Sequence, residues 1–200
     1  MRETSFNRPS KETDITIKLN IDGTGESNIS SGIGFLDHML ELFAFWGHFD
    51  LDILTNKADL SVDIHHTNED LGIVLGSAFK KALGDKTSIR RIGSAAAPME
   101  DVTANVTVDI SGRPSYKMLL NQNANTLLGQ DGYEFKDAEH FFEAFAKQLG
   151  MNLNIKLDNP SSDLHATLEP IFKALGIALD QATQIDPRRK GIPSTKGVID

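Results

Sequence analysis

The sequence predicts an α+β protein built from two similar α/β sandwich half-domains, each a mixed sheet with its two helices on one face. One observation is that segments of alternating apolar residues are interleaved with segments whose apolar residues recur at helical spacing. The other is that the same order of segments occurs twice, about a hundred residues apart. A duplicated unit of this kind predicts one domain of two repeats, at about residues 1–93 and 94–200.

The first repeat starts with a strand pattern that ends in the turn residues 22–25. A helix, two more alternating stretches and a second helix that ends near Gly84 follow along the chain. The predicted elements are, in order, the strand Asp14–Ile21, the helix Phe35–Trp46, the strands Phe49–Leu54 and Leu60–Ile64, and the helix Leu71–Ala82.

The second repeat has a similar order of patterns. Its predicted elements are the strands Thr103–Ile110 and Tyr116–Leu120, the helix Ala138–Leu149, the strand Met151–Leu157 and the helix Leu164–Ala182. Residues 121–132 are polar and have no clear period, which predicts a loop. The tail after Pro187 has the composition of a frayed terminus.

The histidines follow the duplication. One group of matches has a shift of 102 residues and the other a shift of 100, which indicates one repeat with a small loop deletion. The matched pairs are His38 with His140, His65 with His165, and Glu69 with Glu169. We therefore expect each half to bring its own histidines and glutamate to a pseudo-symmetric site for two metal ions.

The spacing within each repeat favours metal binding. Residues four apart lie on one face of a helix, so each His-x-x-x-Glu pair can reach one metal ion. His66 points about 100° away from His65 and can serve a second ion. The alternative is that the duplication copied helix caps, with Asp63 and Asp163 as N-caps. His48 has no repeat partner, and we assign it a structural role.

The composition restricts the metal and the class of function. The chain has no cysteine, so a metal takes imidazole nitrogen and carboxylate oxygen, which suits Mn, Fe, Zn, Co or Ni. A net charge of −8 argues against a general nucleic-acid surface. The sequence shows no signal-peptide pattern and no apolar run of membrane-spanning length. We expect a cytoplasmic protein with no nucleic-acid partner and no membrane partner.

Several polar residues outside the repeat are candidates for a site. Arg91, Arg113 and Lys196 are single cations in loop-like sequences, and by residue type alone each is a surface charge. Residues 194–197 combine hydroxyls, backbone N–H groups and an ammonium, as a phosphate cradle would, although the P-loop pattern is absent. Glu12 and the pair 100–101 are candidate acid/base carboxylates.

These residues belong to a series of motifs that runs from residue 8 to the C terminus. The motifs are Arg8…Glu12-Thr13, Gly34–Leu40, His65–Asp70, Arg91–Gly93, Ser111–Pro114, Glu139–Phe142, His165…Glu169…Phe172–Ala174 and Ser194–Gly197. In content and order they resemble the imidazoleglycerol-phosphate dehydratase family. The stretches FLDHML, HHTNED and EHFFEA are together highly specific, and the absence of a preceding phosphatase domain indicates the monofunctional form.

The resemblance implies a duplicated α/β fold similar to the second domain of ribosomal protein S5. It implies metal-dependent dehydration of D-erythro-imidazole-glycerol phosphate to imidazole-acetol phosphate in histidine biosynthesis. The reaction would pass through a metal-bound imidazolate and a diazafulvene-like intermediate. The resemblance also implies a homo-oligomer, a hollow octahedral shell of 24 subunits with active sites at subunit junctions.

The resemblance also implies roles for particular residues. Two Mn²⁺ ions per active site would be held by His38, His65, His66, Glu69, His140, His165 and Glu169. Glu12 would be the acid/base group. The contacts to the phosphorylated imidazole substrate would come from Arg91, Arg113, Ser194 and Lys196.

The chain departs from the family pattern at two places. The family reads His-His-x-x-Glu in the second half, whereas Ala166 follows His165 here. A family stretch that ends in Asp-Glu is Pro98–Asp101 here, with the two acids swapped, so Glu100 and Asp101 receive no catalytic role. Two other hypotheses use the same residues: a dinuclear metallohydrolase acting on a phosphate ester, and a structural shell whose metals only join subunits.

Overall fold

The computed structural model describes residues 2–120 and 129–199. The first half contains β1 (Glu3–Pro9), β2 (Asp14–Asn20), β3 (Ser27–Ser30), α1 (Gly34–Gly47), β4 (Asp50–Lys57) and α2 (His65–Leu83). The second half contains β5 (Ile92–Met99), β6 (Val102–Asp109), β7 (Ser115–Leu120), α3 (Phe135–Leu149), β8 (Asn152–Asp158) and α4 (Leu164–Thr183). The order of strands and helices is the same in both halves, so the structure confirms the duplicated unit.

Each half forms a four-stranded mixed sheet, as the sequence predicts. The strand orders are β1-β2-β4-β3 and β5-β6-β8-β7. In each sheet the last strand pairs in parallel with its neighbour, and the other pairs are antiparallel. Buried residues alternate along β2, β6 and β8, because successive side chains point to opposite faces of a sheet. One face of each sheet is therefore buried in the core.

The four helices lie between the two sheets. The first sheet contacts α1 and α2, and the second sheet contacts α3 and α4. The helices also pack across the halves, α1 on α4 and α2 on α3. Their aromatic rings meet in the middle, where Phe43 and Phe79 both contact Phe145. A single core thus joins the halves, and residue 93, where the sequence places the division, falls within β5.

Two glycines set the distance between the paired helices. A Cβ atom on Gly176 of α4 would lie 2.5 Å from the carbonyl oxygen of Phe43 in α1. A Cβ atom on Gly76 of α2 would lie 2.8 Å from the carbonyl oxygen of Phe145 in α3. The repeat matches both glycines and both phenylalanines. The same helix contact therefore occurs twice, and glycine is needed because its lack of a side chain lets the backbones approach closely.

The strand predicted at Leu60–Ile64 is wrong. Residues 60–62 form a turn, and Leu60 and Val62 are 36% and 69% exposed. The alternation there reflects no buried sheet face, because the chain must turn from the end of β4 to the start of α2. The backbone N–H of Asp59 donates to Oγ1 of Thr67 at 2.9 Å and holds this turn against the helix.

Three strands were not predicted. Edge strands β1 and β5 carry weak signals, since β1 has no fully buried residue and β5 contains three alanines and a proline. The third, β3, has four residues, which is too short to show a period. The four predicted helices and the other predicted strands are confirmed, although α2 begins six residues and α3 three residues earlier than expected.

The C-terminal tail is attached to the body of the protein, unlike the frayed terminus expected. The N–H of Ser88 donates to the carbonyl oxygen of Gly191 at 2.9 Å, and the guanidinium of Arg91 donates to the carbonyl oxygen of Pro193.

Of the loop predicted at 121–132, residues 121–128 lie outside the described residues. In the described ranges, no helix has both the length and the apolar character needed to cross a bilayer.

We expect Gly176→Ala to destabilise the protein. In an ordinary helix this change would stabilise by roughly 1 kcal/mol through helix propensity. Here the new methyl group meets the backbone of α1, so we expect a loss of about 1–3 kcal/mol and a lower thermal unfolding midpoint. The control is Gly34→Ala, whose Cβ would meet nothing within 4 Å. An unchanged or raised midpoint for Gly176→Ala, measured by circular dichroism, would contradict the close approach.

Candidate metal centre

The first group of possible metal ligands joins α1 to α4, and we name it the α1/α4 cluster. It consists of His38 from α1 with His165 and Glu169 from the start of α4, and their ligand atoms all lie within 4.8 Å of one another. The Nε2 atoms of His165 and His38 lie 2.8 and 3.8 Å from the same carboxylate oxygen of Glu169. Two imidazoles and a carboxylate around one point form a donor set that suits a divalent metal.

The second group joins α2 to α3, and we name it the α2/α3 cluster. His65 and Glu69 from the start of α2 line one cavity with His140 of α3. The rings of His65 and His140 have centroids 4.7 Å apart, and Nε2 of His65 is 3.8 Å from Glu69. Nδ1 of His140 is buried with no hydrogen-bond partner among the described residues. A buried imidazole nitrogen left unpaired indicates a place where an ion or ligand is needed.

Each cluster combines residues from both halves of the chain. The histidine of the first helix in one half meets the His-x-x-x-Glu pair of the second helix in the other half. Each half brings its own histidines and glutamate, and the two sets are shared between the clusters because the helices pair across the halves. His165, Glu169 and Gly176 lie four and seven residues apart along one face of α4. The contact that joins the helices thus also positions the ligands.

His66 belongs to a separate group, as its place on the helix predicts, although its ring centroid lies 5.8 Å from that of His65. Its Nδ1 lies 2.9 Å from the carboxylate of Asp59 and 4.0 Å from that of Glu12. We name Glu12, Asp59 and His66 the His66 group; their ligand atoms also lie within 4.8 Å of one another. Asp59 was not predicted as a site residue, since it stands beside a segment predicted as a strand and belongs to no motif. Its carboxylate orients the His66 ring and leaves Nε2 available.

Glu12 is held by a loop that is clamped to α2. The N–H groups of Glu12 and Thr13 donate to Oγ of Ser10 at 3.1 and 2.9 Å. The Thr13 hydroxyl donates to Asp70 at 2.5 Å, and the Arg8 guanidinium lies 2.6 Å from the other oxygen of Asp70. Because Asp70 belongs to α2, the loop keeps a constant position relative to that helix. The Glu12 side chain itself is 58% exposed and can reach a molecule from solvent.

Neighbouring groups shift two pKa values in these clusters. The hydrogen bond to Asp59 raises the pKa of His66. Burial opposes ionisation of Glu169, but hydrogen bonds from Lys173 and His165 outweigh it and lower the pKa of this carboxyl. Glu169 is therefore ionised and able to bind a cation, whereas His66 must be neutral before its ring can coordinate a metal.

The capping alternative explains the aspartates but not the histidines. Asp163 is the N-cap of α4 and accepts hydrogen bonds from N–H groups of its first turn. Asp63 accepts from the N–H of His65 at 2.8 Å. No cap requires the imidazoles to meet in pairs across the halves, as they do here. His48 is the C-cap of α1 with a φ of 55°, at the other end of that helix from His38.

The cations expected to contact substrate lie at the other end of the second sheet. Arg91 precedes β5 and the exposed Arg113 precedes β7, and both strands run in the same direction as β8. Because α4 starts after the end of β8, the length of that strand, about 20 Å, separates these cations from the α1/α4 cluster.

Arg91 is already engaged within the chain. Its guanidinium lies 2.6 and 3.1 Å from the two carboxylate oxygens of Asp109, and it donates to the carbonyl oxygen of Pro193 at 3.0 Å. Arg91 thereby holds the tail that carries Ser194 and Lys196, whose N–H donates to Oγ of Ser194 at 3.2 Å. Arg91 and Arg113 thus lie about a strand's length from the α1/α4 cluster of their own chain, and Arg91 holds the tail at the same end of the sheet.

Comparison with known proteins identifies the family. The model of the imidazoleglycerol-phosphate dehydratase family matches residues 31–179. Imidazoleglycerol-phosphate dehydratase of Thermoanaerobacter pseudethanolicus is 49% identical over 199 residues, which cover 100% of both chains. The enzyme of the same name from Acetivibrio thermocellus is 48% identical over 198 residues, 99% of each chain.

Solved structures agree with this assignment. Imidazoleglycerol-phosphate dehydratase from Staphylococcus aureus superposes with a TM-score of 0.77 at 31% identity and covers 92% of this chain and 99% of that one. IGPD from Pyrococcus furiosus superposes with a TM-score of 0.78 at 34% identity and covers 96% of this chain and 99% of that one. With its sequence motifs, its duplicated fold and these full-length matches, the chain belongs to the imidazoleglycerol-phosphate dehydratase family, whose members are hydro-lyases.

Proposed function

We propose that the chain dehydrates D-erythro-imidazole-glycerol phosphate to imidazole-acetol phosphate in cytoplasmic histidine biosynthesis, with two Mn²⁺ ions per active site. The observation that carries this proposal is the pair of matching clusters, each of two imidazoles and one carboxylate, at the starts of α2 and α4. A substrate imidazole has two ring nitrogens, so a site with two metal ions suits its chemistry. Membership of the dehydratase family supports the same reaction.

The metal ions would be held by the two clusters together with His66. The residues are His38, His65, His66, Glu69, His140, His165 and Glu169. Their donors are neutral imidazole nitrogens and carboxylate oxygens, with no thiolate, and this set fits Mn²⁺. When bound, the ions would act as Lewis acids toward the imidazole ring of the substrate.

We assign proton transfer to Glu12. The reaction removes a hydroxyl from the carbon attached to the imidazole ring and a proton from the adjacent carbon, and the resulting enol becomes the product ketone. The Glu12 carboxylate is exposed on a clamped loop and lies 4.0 Å from Nδ1 of His66. It can accept the carbon-bound proton and pass a proton to the hydroxyl, which then departs as water.

The separation of the site residues within one chain supports active sites at subunit junctions. Arg91, Arg113 and Lys196 suit a phosphate dianion, but they lie about a strand's length from the α1/α4 cluster. A substrate that contacts a metal cluster and these cations together must therefore lie between two chains. We infer that the cations and Ser194 come from a neighbouring subunit, within the 24-subunit shell that the family resemblance implies.

Removal of divalent metal should abolish turnover, and Mn²⁺ should restore it, because the Lewis acid acts on the substrate ring. The test incubates EDTA-stripped protein with imidazole-glycerol phosphate, with and without Mn²⁺, and measures the ketone product and inorganic phosphate in parallel. Phosphate release without the ketone would contradict the dehydratase and support the dinuclear metallohydrolase instead.

We expect Glu12→Gln to lower kcat by about 10²–10⁴-fold, because an amide cannot accept the proton. The variant should keep its Mn²⁺ content and oligomeric size, since the carboxylate does not hold the loop. The matched control is Glu26→Gln, an exposed carboxylate outside the site, which should retain full activity. Full activity of Glu12→Gln would remove this residue from the mechanism.

A mixture of two inactive variants tests the junction. His165→Ala damages a metal cluster, and Lys196→Ala damages the phosphate contact, so each homogeneous assembly should have little activity. If a site takes its metal ligands and its cation from different chains, an equal mixture assembled together should regain about a quarter of wild-type activity by random assortment. A mixture as inactive as its parents would place the complete site within one chain.

A further inference from the structure

The two halves differ at a position beside the metal ligands. The repeat that matches His65 with His165 also matches His66 with Ala166. Of the six histidines in the chain, four belong to the α1/α4 and α2/α3 clusters. His48 caps the other end of α1. His66 is therefore the one imidazole that the chain can offer beyond its own clusters, although there are two clusters to complete.

The second half also lacks the carboxylate that orients this imidazole. In the first half the N–H of Asp59 donates to Oγ1 of Thr67 at 2.9 Å. In the second half the N–H of Ser161 donates to Oγ1 of the matching Thr167 at 3.0 Å. Ser161 therefore occupies the position in the second half that corresponds to Asp59 in the first half. A methyl group and a hydroxyl replace the imidazole and its carboxylate partner, so the two halves differ by a pair of residues that act together.

The number of protein ligands at each cluster determines what each metal ion must take from elsewhere. Each cluster provides three protein ligands, and a metal ion that prefers more must take the others from another chain, the substrate or water. The Asp59 carboxylate holds Nδ1 of His66, which groups with Glu12 and Asp59 and not with either cluster, and leaves Nε2 outside that contact. Nε2 can therefore complete a site of a neighbouring subunit. One such nitrogen per chain serves one of the two clusters.

We propose that the two metal sites of this protein are unequal. One is completed by His66 of a neighbouring subunit and binds its ion tightly. The other lacks the matching imidazole because residue 166 is alanine, so it binds its ion more weakly and keeps a coordination position open to water or substrate. This inference rests on the proposed junction site.

The test is a Mn²⁺ titration of the metal-free assembled protein, in which the electron paramagnetic resonance signal of aqueous Mn²⁺ reports the free ion. We expect two classes of site, one of each per chain, with Kd values that differ about tenfold or more. His66→Ala should convert the tight class to the weak one and leave a single class. His48→Ala is the matched control and should leave both classes unchanged.

The reciprocal variant is Ala166→His, which should tighten the weak class about tenfold. Ala166 is only 4% exposed, and if Ala166→His does not assemble, the His66→Ala titration decides the question. A single class of two equal sites per chain in the wild type would overturn the inference. Two unchanged classes in His66→Ala would also overturn it. Turnover tests the proposed function separately. Unequal sites without dehydration would contradict the proposed function but not this inference. Dehydration with equal sites would contradict this inference but not the function.

Discussion

The close contact of α1 with α4 and of α2 with α3 is the interaction on which the metal centre depends. Gly76 and Gly176 let each pair of helices approach until a Cβ atom would meet the facing backbone. The glycines and the ligands share one face of their helices, so the distance between the helices and the distance between the ligands change together. Close packing therefore does more than stabilise the core, because it brings the imidazole of one half to the carboxylate of the other.

The duplication has produced a symmetric scaffold with an asymmetric site. Both sheets, both helix pairs and both glycine contacts are repeated. The connections at the ligand end have diverged. The loop of residues 10–13 is clamped to α2 and presents Glu12, whereas a shorter turn of Glu100 and Asp101 joins the corresponding strands of the second half, with Glu100 at a φ of 50°. The scaffold is held by packing, and the connections are free to change because few core contacts depend on them.

A single chain carries the α1/α4 cluster at one end of its second sheet and the candidate phosphate contacts Arg91 and Arg113 at the other. The tail reaches that other end because Arg91 bonds both to Asp109 and to the carbonyl oxygen of Pro193. Two chains placed end to end would bring complementary parts of the site together. This arrangement is the structural basis of the proposed junction site.

Periodicity and repeat spacing are properties of the chain, so the sequence alone predicts the duplication, the helices, the central strands and the residue types of the candidate ligands. It did not reveal β1, β3 and β5, whose edge positions or short length weaken the pattern, and it wrongly assigned a strand to residues 60–64. Only the tertiary structure decided that His38 meets Glu169 rather than Glu69, that Asp59 orients His66, and that Arg91 holds the tail. Those contacts join residues far apart in the chain, and they follow from how the helices and sheets pack, which no local spacing records.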